Sequence, residues 1–285
     1  MAATPILKHT ATMFDARDGR HLFRQSWYPE GKPRAVMVIV HGLAEHSTRY
    51  THVAEFLCEQ GIGVETFDLR GHGQSEGRRI YVNRFYNYVD DLEQFLLEIR
   101  QRYPSGPLFL FGHSMGGAIA TAFLLQRPTA DLSGLLLSGA AVKVSDDVSA
   151  VLQALSSVLS IILPGLPTIT LDSAAISRDP AVVSRYDRDP LNYRGAIPAR
   201  TGAELIKTQK QIKRQASKLA LPVLIMHGSA DRLADPDGSR MLYEQASSKD
   251  KTLKLYDGFY HEILNDPEKQ RVLDDMLVWI NQHLQ

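Results

Sequence analysis

Three polar residues of this 285-residue chain, Ser114, Asp231 and His261, stand where an acyl-transfer reaction would need a nucleophile, an acid and a base. Gly112-His113-Ser114-Met115-Gly116 reads G-x-S-x-G and lies between an apolar run at 108–111 and a helical pattern over 117–125. In so tight a strand-to-helix turn the serine backbone is strained, and side chains two positions either side would clash; glycine removes the clash. As a bare pattern the signal is weak, because ordinary Gly and Ser abundance supplies one in roughly one chain in ten of this length. The strand before it and the helix after it make it specific. A helix N-terminus beneath Ser114 also favours developing negative charge.

A serine hydroxyl needs a base to act as a nucleophile at neutral pH. Chain order of serine, acid, histidine restricts that base to His227, His261 or His283. His283 lies in the last three residues and is expected to fray, and His227 ends a buried strand ahead of the acid. His261 follows the strand-like 252–256 through Asp257-Gly258-Phe259-Tyr260, which puts it on a loop at the carboxyl edge of a sheet. For the acid, the strand Val223-Leu224-Ile225-Met226-His227 runs through Gly228-Ser229-Ala230 into Asp231. Asp235 and Asp237 are rivals, but they precede a helical pattern beginning near Gly238 and suit its N-terminus. Asp231 then fixes the histidine tautomer and stabilises the imidazolium. The oxyanion requires two backbone N–H groups, assigned to Met115 after the nucleophile and to Leu43 in the loop His41-Gly42-Leu43.

The elements that must hold these groups are legible as short apolar runs at 35–40, 63–68, 108–111, 134–138 and 222–227, the signature of strands buried on both faces of a parallel sheet. Two extended stretches, 12–15 and 22–27, precede them across Arg17-Asp18-Gly19. Helical faces carry Val53, Phe56 and Leu57; Val89, Leu92, Leu96 and Ile99; and Leu273, Met276, Leu277 and Ile280. Strand alternating with helix predicts an α/β protein with an open, doubly wound sheet, whose ligands bind beyond the carboxyl ends of the strands. Residues 141–218 break the alternation and predict a helical cap inserted between a core of 1–140 and a core of 219–285. Within it, 148–171 holds 24 residues without a charge. Length alone would allow a membrane span, but serines on the opposite helical face and the Pro164-Gly165 break predict an amphipathic helix that packs on the core, lines an acyl pocket or touches lipid.

Composition excludes several classes. Lys plus Arg equal Asp plus Glu at 32 each, with no basic run, so no nucleic-acid footprint is expected. No Cys or His pair has zinc-ligand spacing and no G-x-G-x-x-G leads a strand into a helix, so neither metal nor cofactor is predicted. The lone cysteine, Cys58, reads as a buried helical residue. The N-terminus lacks a secretory pattern, and the chain is read as cytoplasmic. Asp68 to Ser75 and His46 read as a network that holds loops.

The runs His41-Gly42-Leu43-Ala44-Glu45-His46-Ser47-Thr48-Arg49-Tyr50, Gly71-His72-Gly73-Gln74-Ser75-Glu76-Gly77, Gly112-His113-Ser114-Met115-Gly116-Gly117 and His227-Gly228-Ser229-Ala230-Asp231-Arg232 occur in this order. Together they resemble the monoacylglycerol lipase family, serine lipases of the α/β-hydrolase fold, over nearly the whole chain. The resemblance implies a lipid ester substrate, a preference for long-chain monoacylglycerols, a mobile cap and shallow, peripheral membrane contact. It also implies that Glu45 and Arg49 lie near the alcohol pocket and that Tyr186 reaches it from the cap. Two positions depart from the pattern: Leu43 is larger than the residue often found there, and Leu264 replaces an occasional histidine. A lysophospholipase or a broad carboxylesterase would use the same machinery. An aminopeptidase would instead need acidic cap groups, for which Asp172, Asp179 and Asp187 are available.

Overall fold

The computed structural model describes residues 7–127, 131–144 and 159–284. Among these residues eight strands form one sheet: β1 (Lys8–Asp15), β2 (His21–Tyr28), β3 (Ala35–Val40), β4 (Ile62–Phe67), β5 (Leu108–His113), β6 (Gly134–Ser138), β7 (Val223–Gly228) and β8 (Lys251–Tyr256). Their spatial order is β1-β2-β4-β3-β5-β6-β7-β8. β2 runs antiparallel to both β1 and β4; the pairs from β4 through β8 are parallel. Among the described residues, longer helices accompany them: α1 (Thr51–Glu59), α2 (Tyr86–Arg102), α3 (Met115–Gln126), α4 (Pro180–Arg188), α5 (Ala199–Gln215), α6 (Pro236–Gln245) and α7 (Lys269–Gln282).

Every residue of β3 to β7 is buried, and the two-residue side-chain period explains why. Val36, Val38, Val40, Leu108 and Leu110 face one way, into a core shared with Leu92 and Phe95 of α2 and Ile119 of α3. Met37, Ile39, Phe109 and Phe111 face the other way, into a core shared with Val53 and Leu57 of α1 and Met276 and Ile280 of α7. A sheet covered on both sides has no polar face, so its strands carry no alternation. β1 is the reverse case. It starts four residues before the expected 12–15, because its polar side chains leave only Phe14 buried while its backbone still pairs with β2 along the whole length.

Between β6 and β7 the described chain contains α4, α5 and short 3-10 turns, with an isolated bridge between Pro167 and Pro198. Ile212 of α5 joins the main core, as do Ala216 and Leu219 just beyond the helix. The expected amphipathic helix falls mostly outside the described residues; 159–162 are helical. Among the described residues no helix is long and apolar enough to cross a membrane.

Candidate active site

Ser114 sits between β5 and α3 with φ 52° and ψ −119°, a conformation that costs a non-glycine residue ~1–3 kcal/mol. The turn is held on both sides: Ser114 N donates to Ser138 O at 3.0 Å, and Ser114 O accepts from Ala141 N at 3.0 Å. A Cβ on Gly112 would stand 2.6 Å from Gly116 O, and one on Gly116 would stand 2.1 Å from Val40 O. The two glycines of the motif therefore answer backbone against backbone, which no rotamer change can relieve. Ser114 is half-buried, so its side chain reaches a cavity.

His261 lies after β8, and its Nδ1 donates to Asp231 Oδ2 at 2.7 Å. Asp231 follows β7 and accepts four hydrogen bonds. Leu233 N and Ala234 N donate to Oδ1 at 2.8 and 3.0 Å, while His227 Nε2, at 2.9 Å, shares Oδ2 with His261. Burial alone would raise the Asp231 carboxyl, but the imidazoles of His261 and His227 outweigh it and hold the group well below the usual carboxylate range. For His261 burial works against protonation, and the Asp231 charge and hydrogen bond, aided by Glu262 and Glu45, move it above the ordinary imidazole value.

One cavity brings together Leu43, Glu45, Ser114, Met115, Tyr186 and His261. Its lining includes the apolar Met115, Ile169, Leu171, Ile176, Ile197 and Leu205 and the polar Glu45, His113 and Glu262. Asp231 stands behind His261. Arg49 backs these carboxylates: it donates to Glu45 at 2.8 Å and forks onto Glu262 at 2.6 and 2.7 Å. Tyr186 covers the Arg49 guanidinium with its ring, 4.8 Å to the centroid, and donates its hydroxyl to Ala44 O.

Several residues important to this geometry have no role assigned by the sequence. His41 donates from Nδ1 to Gly42 O at 2.7 Å and accepts Leu69 N at Nε2, tying down the loop that carries Leu43; burial lowers it to about 4. His113, lowered to about 3 by burial and then by His261, packs its ring 4.7 Å from that of His261. Gly139, at φ +51°, leaves room beside His261 Nδ1, where a Cβ would stand at 3.2 Å. A glycine just past the end of β6 was the available signal. Glu262 is adjacent to His261 in sequence, yet its partner Arg49 is 213 positions away.

The rivals fall elsewhere. Asp235 caps α6 by accepting from Asp237 N. His283 pairs with Asp250, and burial pushes the Cys58 thiol up to about 12. Asp68 accepts from Ser47 and Gln74, and His46 bonds Asp189, so both hold loops together. Asp172 caps the 3-10 turn Ser173–Ala175 and Asp179 caps α4, and neither they nor Asp187 line the Ser114 cavity. Among the described residues no group of three or more His, Cys, Asp or Glu could hold a metal.

A serine on a glycine-flanked elbow, with a histidine and a buried carboxylate at neighbouring strand ends of this sheet, defines a serine hydrolase of the α/β-hydrolase fold. Residues 31–268 match the serine aminopeptidase S33 family. The chain is 41% identical over 258 residues to a monoacylglycerol lipase of Mycolicibacterium smegmatis, covering 90% of this chain and 92% of that one. It is 38% identical over 268 residues to a monoglyceride lipase of Homo sapiens, covering 93% and 88%. The crystal structure of a Paleococcus ferrophilus monoacylglycerol lipase superposes with a TM-score of 0.82 at 34% identity, over 92% of this chain and 99% of that one. The chain belongs to the serine aminopeptidase S33 family of α/β hydrolases, in its monoacylglycerol lipase group. It is a serine carboxylic-ester hydrolase.

Proposed function

We propose that the protein hydrolyses monoacylglycerols to fatty acid and glycerol through an acyl-Ser114 intermediate. One observation carries the reading: Ser114 opens onto a cavity lined both by aliphatic side chains and by the buried Glu45 and Glu262 carboxylates. The acyl chain suits the first, and the glycerol hydroxyls are donors for the second. Ser114 Oγ attacks the ester carbonyl while His261 takes its proton, and Asp231 stabilises the imidazolium. The N–H groups of Leu43 and Met115 receive the oxyanion, each such donor contributing ~2.7–4 kcal/mol. His261 returns the proton to the departing glycerol oxygen, and water then releases the fatty acid by the same steps in reverse. Glu45 and Tyr186 border the alcohol side, with Arg49 holding Glu45 in place. Residues 141–218 act as the cap over the cores of 1–140 and 219–285.

Lysophospholipid hydrolysis is the second reading. A second cavity of about 330 Å³, which shares Tyr186 with the Ser114 cavity, is lined by Arg49, Arg185 and Lys269, cations suited to a phosphate headgroup, and by Asp189. Initial rates on monoacylglycerols of graded chain length, lysophospholipids and short water-soluble esters separate the possibilities. The highest kcat/KM is expected on medium to long monoacylglycerols. A maximum on short esters overturns the lipase reading, and one on lysophospholipids favours the second.

We also propose peripheral membrane contact through residues 161–169, where Ile161, Ile162, Leu163 and Ile169 are exposed by 51–73%. An aliphatic cluster of this kind on one segment is what an interface-seeking surface needs. Replacing Ile161 and Ile162 with aspartate is expected to weaken vesicle cosedimentation roughly tenfold or more, since burying each isoleucine contributes ~1.5–3 kcal/mol. Hydrolysis of a water-soluble ester should be unchanged. Vesicle binding equal to that of the parent protein would discard the contact.

A further inference from the structure

Asp231 is approached by two histidines, and only His261 is used by the chemistry above. The other, His227, is fully buried at the end of β7, and its two ring nitrogens have distinct partners. Nε2 lies 2.9 Å from Asp231 Oδ2 and 3.2 Å from Ala234 O. A backbone carbonyl can only accept, so Nε2 carries the hydrogen and donates it to both oxygens. Nδ1 is then the ring's acceptor, and Ser239 Oγ, fully buried on α6, donates to it at 2.7 Å. The result is a chain of hydrogen bonds from Ser239 through His227 and Asp231 to His261, in which the tautomer of His227 is set from both ends.

We infer that His227 is a positioning residue for the reaction: through its Nε2–H it holds Oδ2 of Asp231 in line with His261 Nδ1 and limits how strongly that oxygen pulls on the catalytic imidazole. Without it, Oδ1 would still be anchored by Leu233 N and Ala234 N, but Oδ2 would have His261 as its sole donor. A carboxylate oxygen with one donor fewer is the stronger acceptor for the donor it keeps. The imidazolium of His261 is then favoured over the free base, so the base is available only at higher pH. At the same time the carboxylate can turn about its Oδ1 anchors, which misorients the base. The charged groups facing His227 are Asp231 and, beyond it, His261; Asp235, paired with Lys143 at 2.8 Å, is the other nearby carboxylate. The inference rests on Asp231 serving as the acid of the triad.

The test compares His227→Leu, His227→Gln and Ser239→Ala in the full chain, measuring kcat, KM and the pH dependence of kcat/KM on one monoacylglycerol. Leucine removes the donor, and kcat is expected to fall roughly tenfold with KM little changed. The acidic limb of kcat/KM should move up by roughly half a pH unit or more. Glutamine keeps an N–H donor at the end of a side chain of similar reach, and is expected to stay within about threefold of the parent with the limb in place. Ser239→Ala frees the tautomer without touching Asp231, so the limb should move in the same direction by less. A His227→Leu protein too unstable to assay leaves this Ser239→Ala shift and the glutamine rescue as the deciding readouts. Glutamine as impaired as leucine, or parental kcat and pH profiles in both His227→Leu and Ser239→Ala, would overturn the inference. If Asp231→Asn loses activity while those variants do not, the inference alone fails; if Asp231→Asn keeps parental activity, the triad assignment fails with it.

Discussion

Ser114→Ala is expected to lower kcat roughly 10⁶-fold and to abolish labelling by a fluorophosphonate probe, with thermal unfolding nearly unchanged. The size follows from the covalent route: removing the hydroxyl removes both the nucleophile and the reason for His261 to act as a base, so nothing else in the triad can compensate. What remains is the oxyanion hole and substrate positioning, which together leave a residual rate over water of 10³–10⁴. Stability should be spared because alanine meets the same φ of 52° at the elbow as serine does, and Gly112 and Gly116 still clear the turn. Mass spectrometry of the probe-treated protein checks both parts. Labelling retained at another residue of the variant would move the nucleophile elsewhere.

The second large effect is expected for Asp231→Asn, a change of nearly constant shape. An amide accepts with its oxygen but donates with its nitrogen, and with His227 and His261 both presenting N–H groups to Oδ2, one orientation of the amide repels them. The tautomer of His261 that leaves Nε2 free for Ser114 loses its anchor, and kcat should drop by about 10⁴. The pH profile carries the sign. In the parent protein the Asp231 carboxylate lifts His261 above the ordinary imidazole value against the opposing effect of burial, so kcat/KM rises with pH through that elevated value. Loss of the charge leaves burial dominant, and the acidic limb of the residual activity should move to lower pH. His227→Leu is expected to move it the opposite way, so the two variants distinguish loss of charge from loss of a donor. An unshifted limb in Asp231→Asn would mean that the carboxylate does not face the titrating base.

How far the site is legible in the chain depends on whether each residue's position is a local matter. Ser114 is: the elbow is made by five consecutive residues, and its glycines are required by contacts within the turn and with β3. Asp231 and His261 are nearly so, because in a parallel sheet every strand delivers its carboxyl end to the same edge, and a polar residue a few positions past β7 or β8 arrives at that edge whatever the rest of the fold does. The parallel strands themselves are legible because burial on both faces leaves continuous apolar runs. β1 is legible only in part, since its pairing is a backbone property that its exposed side chains do not report.

His227 shows where this reasoning ends. As a histidine closing a buried strand, it is set aside as the base. Its hydrogen bond to the acid depends on the backward turn of the loop after β7, which brings Asp231 over the ring four positions earlier, and on α6 placing Ser239 against the other nitrogen. Glu262 and Arg49, 213 positions apart, meet only because the loop after β3 and the loop after β8 converge on one edge of the sheet. The sequence by itself determined the serine elbow, the strand ends and the reaction class, because those follow from backbone sterics and from a two-residue side-chain period. Tertiary structure alone decided which side chains share a carboxylate, which glycine makes room beside His261 and how Arg49 is divided between two acids, because these are contacts between distant segments and depend on how the loops close.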